Sequence, residues 1–75
     1  MGKMNKNLLN SFMARFGDTQ KTLADAMGIS LSRLNAKINE TGGAEFMQSE
    51  MGFIAARYQL SADDVINIFF ARKVS

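Results

Sequence analysis

The sequence predicts an all-α fold of five helices in a single domain over residues 1–75. Three observations predict it. The apolar residues recur mostly at three- and four-residue spacing, the period of a helix with one buried face. There is no proline to interrupt such helices. Glycines and small polar residues stand where helices of ordinary length would stop and restart. With 47% apolar residues the chain can fill one core. It has neither cysteine nor histidine, so burial must do the work of a disulfide or a zinc site.

Leu8, Leu9, Phe12, Met13 and Phe16 mark the first helix, closed by Gly17. Asp18 or Thr19 can cap the second, whose apolar face is Leu23, Ala26 and Met27. Gly28 then supplies the left-handed conformation that ends a helix at little cost. Ser30 caps the third, with Leu34 and Ile38 on its inner side. Residues 39–45 hold Gly42 and Gly43 and read as a loop. Residues 48–58 read as the fourth helix, with Met51, Ile54, Ala55 and Tyr58 facing inward.

Ser61 caps the fifth, and Asp63 and Asp64 fall in its first turn, where the helix dipole favours negative charge. Its apolar side is Val65, Ile66, Ile68 and Phe69. One of Phe69 and Phe70 is expected to be surplus to so short a helix. The pair, with Arg72, is therefore the expected dimer or partner interface. Residues 70–75 fit a frayed helix end, a short strand or an arm equally.

Several functions are excluded or disfavoured by the same inventory. No apolar run approaches the roughly 20 residues that span a bilayer, so a soluble, cytoplasmic protein is expected. No catalytic constellation is present, and the chain is expected not to be an enzyme. Asp63 and Asp64 are adjacent on a helix and point about 100° apart, so they cannot share a substrate. Gly42 and Gly43 lack the strand and lysine of a phosphate-binding loop. No cofactor or metal is expected. The six methionines are expected chiefly as core filler.

Charge is unevenly divided. Residues 1–39 carry six cations against two anions, a net +4, while residues 40–75 carry three against five, a net −2. One half could thus face a polyanion while the other faces solvent or protein.

The most informative stretch is 19–39. Two helices crossing steeply need a small residue at their closest approach, supplied by Ala24. Gly28 permits the sharp turn, Ile29 plugs the gap beneath it, and Ser30 starts the next helix. Once Leu23, Leu34 and Ile38 are buried, one face of the third helix remains outside. It holds Leu31, Ser32, Arg33, Asn35, Ala36 and Lys37.

This segment resembles the helix-turn-helix of the phage lambda repressor and Cro superfamily. The shared pattern is Gln20, Leu23-Ala24, Gly28, Ile29, Ser30 and Leu34 in register. The later segment, Glu45-Phe46 through Ile54 to Leu60-Ser61 and Ile68-Phe69-Phe70, looks like that of short prophage regulators. The resemblance implies a five-helix lambda-repressor-like domain whose third helix enters the major groove of operator DNA. Gln20 would then brace a phosphate and the reading helix. Leu31, Ser32, Arg33 and Ala36 would approach base edges, with Arg33 placed for guanine O6 and N7. Asn35, Lys37 and Asn39 would hold phosphates, and Lys21 would add salt-dependent attraction. Leu31 departs from the pattern, standing where related repressors often carry glutamine.

The function so implied is that of a Cro-like phage or prophage transcription regulator. It would act at a lysogeny–lysis switch in a bacterial host, as a homodimer on double-stranded operator DNA. The alternative, favoured by Leu31 and the low net charge, is an antirepressor or modulator that binds a partner phage repressor.

Overall fold

The computed structural model describes residues 4–70. Among them are five α-helices, a single 3₁₀ turn and no strand. The helices are α1 (Lys6–Arg15), α2 (Gln20–Met27), α3 (Leu31–Asn39), α4 (Gln48–Arg57) and α5 (Ala62–Phe69), with the 3₁₀ turn at Thr41–Gly43 between α3 and α4.

Local side-chain chemistry explains most helix starts. Asn5 caps α1 by accepting the Leu8 N–H at 3.0 Å. Thr19, rather than Asp18, caps α2. Its hydroxyl accepts the Thr22 N–H while the Thr22 hydroxyl accepts the Thr19 N–H. Ser30 caps α3 by accepting the Arg33 N–H at 3.1 Å. Ser61 and Asp64 make the reciprocal pair at the start of α5. For α4 the Glu50 carboxylate accepts the Met47 N–H at 2.8 Å.

Helix ends share one device. Gly17 and Gly28 both sit at φ 76°, where a residue with a Cβ would be strained. The residue after each folds back to bond a carbonyl five residues earlier, Asp18 to Met13 and Ile29 to Ala24. The end of α4 makes the same return, Leu60 to Ala55, with Gln59 at φ 55° in place of glycine. Glu40 closes α3 at φ 55°.

All five helices feed one core. Leu9, Phe12 and Met13 come from α1, Leu23 and Ala24 from α2, and Leu34 and Ile38 from α3. Ile54 comes from α4 and Ile68 and Phe69 from α5, with Tyr58 just past the end of α4. Phe46, from the connection before α4, is also buried and meets Phe69 edge to face with ring centroids 5.5 Å apart. The Asn5 N–H donates to the Ile68 carbonyl at 2.7 Å, pinning the first helix to the last.

Three expected inward residues lie elsewhere. Phe16 is 44% exposed, its ring against Tyr58 at 5.4 Å. Ile66 is 54% exposed, because α5 turns Ile68 and Phe69 into the core and its opposite side outward. Ala26 is exposed, since α2 buries Leu23 and Ala24 and leans on Met27. Phe69, expected at an interface with Phe70 and Arg72, is a core residue; Phe70 is 54% exposed, and Arg72 lies outside the described residues.

Candidate nucleic-acid interface

Helices α2 and α3 pack against each other across the turn at Gly28, Ile29 and Ser30. Ala24 is 1% exposed, as a close crossing requires, and Ile29 is half-buried under the turn. Leu34 and Ile38, one turn apart, anchor α3 inward. The first turn of α3 is therefore the part that projects. Leu31 is 41% exposed, and Ser32 and Arg33 are exposed beside it. The Arg33 guanidinium pairs with no carboxylate among the described residues.

The remaining sequence-predicted residues divide. Gln20, Asn35 and Ala36 are half-buried. Lys21 is exposed and reaches Asp25 at 3.3 Å, a solvent-screened pair one helical turn apart. Asn39 is exposed and ties two helices together: its Nδ2 donates to the Asn35 carbonyl, and its Oδ1 accepts from Lys6 Nζ at 2.9 Å.

Lys37 is a correction. Expected on the outer face, it is only 7% exposed. Its position next to Ile38 and three residues after Leu34 sets it on the edge of α3 that faces Glu45 and Glu50. Its ammonium donates to the Glu45 carbonyl at 3.3 Å and lies 3.2 Å from the Glu50 carboxylate. The outward cluster is thus Leu31, Ser32 and Arg33, and Lys37 does not belong to it.

Where the start of α2 meets the end of α4 lies a polar clasp that sequence reasoning missed. Asp18, whose side chain is 8% exposed, receives Arg57 Nε at 2.7 Å and Nη2 at 2.9 Å. It also receives the Tyr58 hydroxyl at 2.7 Å and the Thr22 hydroxyl at 2.8 Å. The Arg57 hydrogen bond, aided by Tyr58 and Thr22, holds the Asp18 carboxyl far below the ordinary carboxylate range despite its burial. Burial, and then the adjacent carboxylate, push the Tyr58 phenol well above its ordinary value. The Asp18 hydrogen bond likewise raises Arg57. The clasp fixes the start of α2 to the end of α4. Arg57 and Tyr58 lie 39 and 40 positions from Asp18, so no local pattern announces their part in it.

On another side, α4 and α5 frame a groove of about 410 Å³ lined by Gln48, Met51, Gly52, Ala55, Val65 and Phe70. Among the described residues no three carboxylates cluster as metal ligands, and no helix is long and apolar enough to cross a membrane. Asp63 and Asp64 sit in the first turn of α5, where Asp64 completes the cap.

The arrangement is a braced pair of helices presenting one short, exposed turn that carries a guanidinium with no carboxylate partner among the described residues. No protein-family model, curated protein or solved structure matches the chain.

Proposed function

We propose that the chain is a DNA-binding regulator of transcription, of the Cro type found in phages and prophages, that inserts the first turn of α3 into the major groove. One observation carries the reading: Leu31, Ser32 and Arg33 are exposed in the first turn of a helix whose later turns are anchored in the core by Leu34 and Ile38. A rigid helix that offers an arginine with no ion pair among the described residues can present two parallel N–H donors to guanine O6 and N7. Leu31 can meet a thymine methyl, and Ser32 can donate or accept. Lys21, Gln20 and Asn39 flank the cluster and supply phosphate contacts that set register.

The regulator acts as a homodimer across a pseudo-palindrome, with half-sites about one helical turn apart. Two copies meeting at the α4–α5 groove would satisfy the requirement that a two-fold interface be self-complementary. Phe70, 54% exposed, lies in the lining of the groove, so one surface offers both a knob and a hole. Among the described residues the lining carries no charge, so these bring no like charges together between two copies.

The test is titration of the full chain against duplexes selected from a random pool, at several salt concentrations. Sequence-selective binding whose logarithm falls linearly with the logarithm of salt is expected. Absence of association even in dilute salt overturns the reading.

A second reading is favoured by the burial of Lys37, which leaves Arg33 as the only cation on the outer face of α3, beside an exposed Leu31. An antirepressor that docks on a partner repressor needs little positive charge. Mobility shifts with and without the repressor encoded alongside separate the two: binding alone supports the regulator, and release of repressor from DNA supports the antagonist.

A further inference from the structure

Helix α3 carries two cations, Arg33 and Lys37, four residues apart. On an ideal helix that spacing turns side chains only about 40° from each other, so both would be expected on one face. Their fates differ. Arg33 is exposed, while the Lys37 side chain is 9% exposed and lies across the start of α4.

The partner of Lys37 is itself immobilised. Glu50 is 16% exposed and stands in the first turn of α4, where the helix dipole favours a carboxylate. The oxygen that faces Lys37, Oε1, also accepts the Met47 backbone N–H at 2.8 Å. Glu50 is thus fixed to the backbone of α4, and Lys37 is fixed to Glu50 and to the Glu45 carbonyl. A lysine that turned outward toward a phosphate would leave a largely buried carboxylate uncompensated, which is strongly unfavourable.

We infer that Lys37 is a positioning residue of the proposed DNA-reading helix: through Glu50 it fixes the roll of α3 about its axis, and its charge takes no part in attracting DNA. Leu34 and Ile38 hold α3 against the core, but apolar contacts alone tolerate some rotation. The Lys37–Glu50 strut adds a directional restraint at the far end of the helix. That restraint sets the direction in which Arg33, exposed in the first turn, faces, and a roll in either direction would move it off its mark. The inference rests on the DNA-binding reading and adds to it a residue that works from the buried side.

The experiment compares the wild-type chain with Lys37→Met, Glu50→Gln, the double variant and Lys37→Arg. All are titrated at several salt concentrations against the duplex that the wild type selects from a random pool. Each is measured below its own melting transition. Lys37→Met keeps the bulk without the charge, and Glu50→Gln keeps an acceptor for the Met47 N–H. Each single variant should weaken binding by about two- to thirtyfold. The double variant should be no weaker than either single one, and Lys37→Arg should recover most of the loss. The salt slope of Lys37→Met should equal that of the wild type.

The sign of the Glu50 effect is the sharpest readout. If charge alone mattered, removing an anion would strengthen binding to DNA, whereas loss of a strut weakens it. Three results overturn the inference and leave the DNA reading intact: a slope reduced by about 0.9 in Lys37→Met, the mark of one lost phosphate contact; tighter binding by Glu50→Gln; or additive losses in the double variant. If the wild type itself selects no duplex and binds none in dilute salt, the DNA reading fails, and this inference with it.

Discussion

Four donors from three residues converge on Asp18: two from Arg57, one from Tyr58 and one from Thr22. Asp18→Asn should therefore cost about 1–3 kcal/mol at neutral pH, the lower end reflecting the partial exposure of Arg57. Because the folded state holds this carboxyl below its ordinary value, its contribution is complete above roughly pH 5 and drains as the pH falls toward the folded value. The gap in melting temperature between wild type and Asp18→Asn should narrow between about pH 5 and pH 2. A constant gap would detach the carboxylate from the clasp. At Arg33 the consequence is for binding instead. Arg33→Ala should cost about 1–3 kcal/mol of operator affinity and relax one base preference, read by competition among single-substituted duplexes. Unchanged discrimination would remove Arg33 from base readout.

At the scale of elements, the turn between α2 and α3 rests on Gly28. A Cβ there would meet no atom within 4 Å, so any penalty comes from its φ of 76° alone. Gly28→Val should cost about 1–3 kcal/mol, lowering the melting temperature by roughly 4–8 °C for each kcal/mol in a domain of this size. An unaltered transition would show that the turn tolerates a β-branched residue. The caps at Ser30 and Ser61 and the stop at Gly28 were legible because each acts within four residues of itself. Asn5 acts just as locally, yet its capping role was obscured by the polar residues on either side of it. The left-handed stops at Glu40 and Gln59 carry no signature, since neither residue type prefers that conformation. Phe46 lies in a connection, outside any helical period, so spacing could not mark it as core.

Across the whole molecule, one core is closed by the bond from Asn5 to Ile68, which sets α5 against α1 and leaves the opposite side of α5 outward. Ile66 and Phe70, one turn apart, are both more than half exposed on that side. If two copies meet there, Phe70→Glu should shift the chain to a monomer in sedimentation equilibrium and weaken binding to a two-half-site duplex more than to a single half-site. A wild type that stays monomeric at high concentration and on DNA would dispose of the homodimer.

The amino-acid order alone determined the helix count, most of the boundaries and the turn at residues 28–30, because periodicity, caps and left-handed glycine are written within a few positions of where they act. It also marked out α3 as a helix with a free outer face, since Leu34 and Ile38 must face inward; the structure narrows that six-residue face to the exposed first turn, Leu31, Ser32 and Arg33. Only the tertiary structure decided what each helix edge meets. It drew Lys37 onto Glu50, Asp18 onto Arg57 and Tyr58, and Phe69 onto Phe46, while leaving Ile66 and Phe70 outside. The reason is physical: a side chain at the margin of an apolar stripe is buried or exposed according to the neighbouring helix, and that neighbour comes from a distant part of the chain.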